Sequence, residues 1–217
     1  MLDSPHQTAQ LFDIFKQRGK KQQYRKGDFI IRPDESLSGV FYVESGLVKA
    51  YDMTKYGEEN LLIIRKPDEV FPLIWAITGQ ERHVIYQTLA ATTVWRISRS
   101  QFLEAIAADP TMYAPLLDLT LEMYRLHSER ILNLEYRTVR ERIISFLLTM
   151  SQRFGKQTKD GIVLEVPLRH QDVASSVNAT RETASRELSA LERKGYISND
   201  HGFIVLKDVD GLQKHLS

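Results

Sequence analysis

The apolar positions change period as the chain proceeds. Up to about residue 20 they fall at Leu11, Phe12, Ile14 and Phe15, the spacing of a short amphipathic helix. From 24 to 98 they gather in short β-rich runs: DFIIR, GVFYVESGLVKAYD, NLLIIRK and VIYQTLAATTVWRIS. Gly27, Pro33, Gly39, Gly46, Gly57, Pro67, Pro72 and Gly79 break these runs apart. Short strands punctuated in this way predict an all-β sandwich or jelly roll. Within it, Glu44-Ser45-Gly46 is a turn between two strands, where glycine can take a positive φ.

From residue 99 the period becomes helical. SRSQFLEAIAADP predicts a helix that stops at Asp109-Pro110, and Pro115 suits the first turn of the next helix, where a missing N–H does no harm. That second helix is expected to reach about residue 134, roughly 20 residues and about 30 Å. It carries one apolar line, Leu116, Leu119, Met123 and Leu126, with a second beside it, Leu117, Leu121, Tyr124 and Ile131. One line would cover the chain's own barrel. Two lines fit a helix buried within one chain or a helix shared with a partner, most economically the same helix of a second subunit. NLEYRTVRER then reads as a linker region, VRERIISFLLTMSQRF as a helix ended by Gly155, KQTKDG as a loop and IVLEVPL as a short strand.

The last segment, RHQDVASSVNATRETASRELSALERKGYI, holds two short helical patterns. Val173, Ala174 and Val177 give the first its apolar face. Asn178-Ala179 is a tight turn, since asparagine tolerates a left-handed conformation. Thr180 is a good N-cap for the second, in which Ala184, Leu188 and Leu191 face one side and Arg181, Glu182, Ser185 and Arg186 the other. Lys194-Gly195 ends it with a glycine cap. Two short helices joined by a small turn make a helix-turn-helix. YISNDHGFIVL then fits a hairpin turning at Asp200-His201-Gly202, the wing of a winged helix.

A recognition helix places its N-terminal residues in the major groove. Arginine there forks onto guanine O6 and N7, and glutamate accepts from cytosine N4. Thr180, Thr183 and the N–H groups at the helix start suit phosphate oxygens. The plain reading is a solvated face, with Glu182 and Arg186 as a surface i,i+4 ion pair worth a few tenths of a kcal/mol. Charge does not separate the two readings. From 167 onward Lys/Arg at 169, 181, 186, 193, 194, 207 and 214 are balanced by Asp/Glu at 172, 182, 187, 192, 200, 208 and 210.

Composition excludes several classes. With 42% apolar residues in 217, the chain can bury a substantial core, and its net charge of +1 announces no polyanionic partner. No run of 18 apolar residues predicts a membrane span. MLDSPHQTAQLFDIF lacks a basic region followed by an apolar one, so no secretory signal is expected and the cytoplasm is the default location. The chain has no cysteine, which removes disulfides, thiolate nucleophiles and the usual iron–sulfur ligands. A metal-dependent enzyme on a jelly roll needs clustered ligands, yet His6, His83, His127, His170, His201 and His215 are scattered with no His-x-His. There is no P-loop and no nucleophile elbow. No enzymatic activity and no metal site are expected. A regulator that acts by protein contact, with a winged helix that reads no DNA, remains the rival.

ATRETASRELSALERKGYI resembles the helix-turn-helix signature of the cyclic-AMP receptor/FNR family of bacterial transcription regulators. The likeness extends over nearly the whole chain: a β-roll, a long helix and a C-terminal winged helix. It implies an α+β protein with a cyclic-nucleotide-binding-like jelly-roll sensor over 1–110, a dimerisation helix over 111–136 with Leu116, Leu119, Met123 and Leu126 at the seam, and a winged helix-turn-helix over 137–217. Carried over by position, Arg181, Glu182 and Arg186 match base-reading residues. Thr180 and Thr183 match phosphate contacts, and Arg169 and His170 fall where the family touches the DNA backbone. The implied partners are double-stranded DNA, a second copy of the chain and RNA polymerase. The implied site is a pseudo-palindrome with TGTGA-like half-sites, read by two helices about 34 Å apart.

The sensor departs from the pattern. In the cyclic-nucleotide branch a Gly-Glu pair and a downstream Arg-Ser hold the ribose and cyclic phosphate. Here Arg82 stands at the place of the phosphate arginine, followed by His83, and Phe71-Pro72 or Pro72-Leu73 replaces Gly-Glu. The pair expected on the long helix to contact the base is His127-Ser128. Cyclic AMP is therefore not the expected ligand. No cofactor is expected. Another small anion on Arg82, haem on a histidine, or no ligand at all are the alternatives. The apolar run Phe71, Leu73, Ile74, Trp75 and Ile77 fills the former pocket, lines a site for an apolar ligand, or packs. A signal would act on barrel and long helix, and the joint at Glu135 to Val139 would reset the DNA-binding domains.

Overall fold

The computed structural model describes residues 5–33 and 35–216, with side chains from residue 11 onward. Residues 1–4, at the head of the first expected helix, and the His6 side chain lie outside the described residues. Contacts divide the chain into two units, residues 1–52 with 62–125 and residues 53–61 with 126–217.

The first unit opens with α1 (Pro5–Arg18) and β1 (Lys20–Tyr24), followed by β2 (Phe29–Ile31), β3 (Val40–Ser45), β4 (Val48–Met53), β5 (Glu59–Arg65) and β6 (Val70–Phe71). After the short helix α2 (Leu73–Thr78) come β7 (Ile85–Thr88), β8 (Thr92–Ile97) and α3 (Arg99–Ala108). The strands form two four-stranded antiparallel sheets, β1-β8-β3-β6 and β2-β7-β4-β5, the jelly roll expected. Alternation along β3 sorts the core. Phe41 and Val43 meet Val48, Ala50, Phe71, Tyr86 and Val94, while Val40 and Tyr42 meet Leu11, Phe15, Phe102, Ile106 and Leu116. Each such side chain contributes about 1.5–3 kcal/mol when fully buried.

Two strands escape the apolar pattern. β1 is the polar run KKQQY, held by backbone pairing from Lys20↔Arg96 to Tyr24↔Thr92 at a sheet edge, where lysines discourage further pairing. β6 is too short to show a period. The run from Phe71 onward is mainly packing: Phe71 is buried, and Leu73 and Trp75 pack on the core, but Ile74 and Ile77 are exposed.

After a single 3-10 turn at Pro110–Met112, α4 spans Tyr113–Tyr136. Its first apolar line is spent on this chain. Leu116 is buried, Leu119 packs on the same core and the Met123 sulfur accepts a hydrogen bond from Arg65, with Leu126 half-buried. The line facing outward is the second, with Leu117 at 57%, Leu121 at 55%, Tyr124 at 72% and Ile131 at 62% exposure. Assigning the seam to Leu116, Leu119, Met123 and Leu126 chose the inward line, because spacing alone cannot say which side meets the barrel. Among the described residues no helix is long and apolar enough to cross a membrane.

In the second unit α5 (Val139–Phe154) starts on a capping box, Thr138 with Glu141, and buries Ile143, Ile144 and Leu147. KQTKDG is not a loop: β9 (Gly155–Thr158) and β10 (Gly161–Leu164) pair through it as a hairpin. α6 (His170–Ser176) and α7 (Arg181–Arg193) precede β11 (Ile197–Asp200) and β12 (Phe203–Leu206). The sheet order is β11-β12-β10-β9, and α8 (Val209–Lys214) closes the chain.

Gly161 and Gly195 both have positive φ, at 127° and 80°. A Cβ at Gly161 would collide with the Leu206 carbonyl, whereas one at Gly195 would meet nothing within 4 Å. Gly195→Ala should therefore cost only the left-handed penalty, about 1–2 kcal/mol. Gly161→Ala should cost more, because the β12 backbone must move. Equal losses in denaturant unfolding would contradict this account of the sheet.

Candidate nucleic-acid interface

The start of α6 is set by Asp172. Its buried carboxylate accepts from the Arg169 backbone N–H at 2.9 Å and from the Arg169 Nε and Nη2 at 3.0 Å each. The guanidinium placed on a phosphate by resemblance is thus anchored on its own chain, while the side chain stays 66% exposed. α6 stops at Val177. Asn178 takes φ 52°, as its left-handed tolerance predicts, and the Ala179 N–H returns to the Ala174 carbonyl at 3.0 Å.

Thr180 then caps α7, its hydroxyl accepting from the Thr183 N–H at 3.2 Å and donating to the Thr183 hydroxyl at 3.0 Å. At the other end the Tyr196 N–H reaches Leu191 and the Gly195 N–H reaches Glu192, a Schellman close. Ala184, Leu188 and Leu191 are buried as expected, and Arg181, Glu182 and Arg186 are exposed. The i,i+4 ion pair between Glu182 and Arg186 is not formed. Arg186 instead lies 3.9 Å from Glu187. His170 sits beside this face, its Nδ1 3.1 Å from the Ser185 hydroxyl. The hairpin turns at His201 and Gly202 with φ 48° and 89°, the mirror-image turn that matches strand twist.

Two positioning arginines have no sign in the sequence. From α5, Arg142 donates to the Arg137 carbonyl at 2.9 Å and to the Val177 carbonyl at 3.2 Å. Arg140 donates to Glu187 at 2.7 Å. Asp172 and Glu187 are the acceptors that lock α6 and α7. The partners of the arginines lie 35 and 47 residues away, beyond any local period.

The candidate effector residues lie apart from this face in the chain. Arg82 and His83, in the loop before β7, line a surface groove with Ile31, Glu35, Leu37 and Val84. Among the described residues Arg82 forms no ion pair; Arg32 stands 3.9 Å from Glu35. His127 is exposed and Ser128 half-buried on α4. Where the cyclic-nucleotide motif would put Gly-Glu, Phe71 stacks between Phe41 and Tyr86, with centroids at 5.3 and 4.6 Å. Burial pushes the Tyr86 phenol up, opposed by the nearby Arg65 and Arg82 guanidinium groups. Arg65 is unforeseen. Its side chain is 10% exposed, its Nη1 donates to Glu69 at 3.3 Å and to the Met123 sulfur at 3.1 Å, and its buried Nε has no partner.

Family models place these features. That of the Crp-like helix-turn-helix domain matches residues 141–215, and that of the cyclic nucleotide-binding domain matches residues 21–109. The global nitrogen regulator of Nostoc sp. is 28% identical over 186 residues, 82% of this chain and 80% of that protein. The transcriptional activator protein FnrA of Stutzerimonas stutzeri is 26% identical, covering 93% and 81%. The structure of FixK2 from Bradyrhizobium japonicum matches with TM-score 0.77 and 26% identity over 90% of this chain and 96% of that one. The chain belongs to the Crp/Fnr family. As a Crp/Fnr regulator it joins a DNA-binding helix-turn-helix to a domain of effector-binding type, and the relatives it matches are regulators of transcription.

In this Crp/Fnr chain Arg142 holds the turn that aims α7. Arg142→Ala should lower stability by about 1.5–3 kcal/mol, the range for hydrogen bonds to a charged group. It should also weaken binding to every duplex alike. Loss confined to one sequence would mean that Arg142 reads a base.

Proposed function

We propose that the chain acts as a homodimer on a pseudo-palindromic duplex with TGTGA-like half-sites. Arg181 and Arg186 fork onto guanines, and Glu182 accepts from a cytosine amino group. Arg169, held in orientation by Asp172, joins His170, Thr180 and Thr183 on phosphate oxygens. The observation that carries the reading is the outward face of α7: three charged side chains are exposed on a helix whose other face is buried. The exposed line Leu117, Leu121, Tyr124 on α4 supports the dimer, because a symmetric pair of such helices buries it. RNA polymerase is the partner this class of regulator addresses.

Arg181→Ala and Arg186→Ala should each cost about 1–3 kcal/mol of binding to the half-site duplex. Neither should alter the thermal unfolding, since both side chains are exposed. A gel shift against a scrambled duplex measures it, and parental binding by both variants would show the reading helix to be misassigned.

For the sensor, the closed ring stack at Phe71 supports an effector other than cyclic AMP. The buried Nε of Arg65, which has no hydrogen-bond partner while Nη1 is shared by Glu69 and Met123, supports a small organic or inorganic anion. A ligand at about 100 times its dissociation constant adds about 2.7 kcal/mol of stability. Succinate or phosphate, compared with chloride at matched ionic strength, should raise the melting temperature of the parent and not of Arg65→Gln. Cyclic AMP should leave both unchanged. A tight cyclic-AMP response would refute the reading of Phe71, and an anion response retained by Arg65→Gln would refute that of Arg65.

A further inference from the structure

Ser185 lies within the outward face of α7, one turn beyond Arg181, three residues beyond Glu182 and next to Arg186. Its hydroxyl is 3.1 Å from the His170 Nδ1 at the start of α6. We propose that His170 sets the direction of the Ser185 hydroxyl proton, and so decides which base edge α7 accepts at that step. The proposal rests on the DNA-reading function above.

A serine hydroxyl has one proton and two lone pairs, and alone it suits any base. A neutral imidazole has one N–H and one lone-pair nitrogen. With Nδ1 on Ser185, the other ring nitrogen, Nε2, is left for a second partner. His170 is exposed and sits at the DNA-facing start of α6. A phosphate oxygen only accepts, so a phosphate at Nε2 requires the proton there. In the neutral ring Nδ1 then presents its lone pair, and Ser185 spends its single proton on it. Toward the groove Ser185 shows lone pairs alone.

It accepts from adenine N6 or cytosine N4. It has nothing to offer thymine O4 or guanine O6 and N7. A backbone contact, which by itself carries no sequence information, thereby acquires some. The nearby carboxylate does not compete for the ring. Both oxygens of Asp172 accept from Arg169.

The test is competition binding with duplexes in which each half-site position is varied in turn, using the parent, His170→Ala, Ser185→Ala and the double variant. The parent should prefer, at one position, a base presenting an amino group, by roughly three- to tenfold for a single hydrogen bond. Ser185→Ala should abolish that preference and no other. His170→Ala should abolish the same preference and, in addition, weaken all duplexes equally. The double variant should match His170→Ala at that position.

Two results would overturn the proposal. One is a uniform weakening by His170→Ala with the preference intact, which makes the histidine a phosphate contact only. The other is a parental preference for thymine or guanine at the Ser185 position, which reverses the proton. Arg186→Ala separates this from the underlying function. If that variant and the parent bind every duplex alike, DNA reading itself fails; if only the histidine result fails, the reading stands.

Discussion

The turn between α6 and α7 is the constraint on which the rest depends. A reading helix is useful only if its polar face is held outward against the pull to bury it elsewhere. Here three features hold it. Asn178 takes the left-handed conformation that reverses the chain, Ala184 and Leu188 seal the inner face, and the Arg142 guanidinium clamps the Val177 carbonyl from α5. None of these residues belongs to the outward face. They fix the direction in which Arg181, Glu182 and Arg186 point, and a displacement of about an ångström there would cost forked hydrogen bonds their geometry.

The first unit is the jelly roll of a cyclic nucleotide-binding domain. Phe71 stacks between Phe41 and Tyr86, and the buried Arg65 guanidinium reaches Glu69 and a methionine of α4. Under the proposed function an anion would be a further partner for that guanidinium, besides Glu69 and the thioether. A ligand with different affinity for two arrangements of these partners would shift the balance between them. Because Met123 is part of α4, the change would be felt along the helix whose opposite line is exposed.

Much of this was legible in the residues. Periodicity placed the helices from α3 to α5 and the caps of α7, because long amphipathic patterns and glycine or threonine caps are local signals. The outward residues of α7 followed from the same period. The polar strands β1 and β9 left no trace, since backbone pairing holds them and their side chains alternate poorly. The two lines of α4 were seen, but not which of them faces the chain's own core, since that depends on where the barrel lies. Arg65 and Arg142 were missed, and Ser185 was placed on the outward face without its contact to His170, for one reason: these contacts join residues distant in the chain.

The central claim is that two copies of α7, related by symmetry, enter successive major grooves of one duplex. Hydroxyl-radical footprinting with the stoichiometry measured on the same complex tests this most directly. The account predicts two chains per duplex and two protected patches about 10–10.5 base pairs apart on one face of the DNA. One chain per duplex, or a single patch without a symmetric mate, would contradict it.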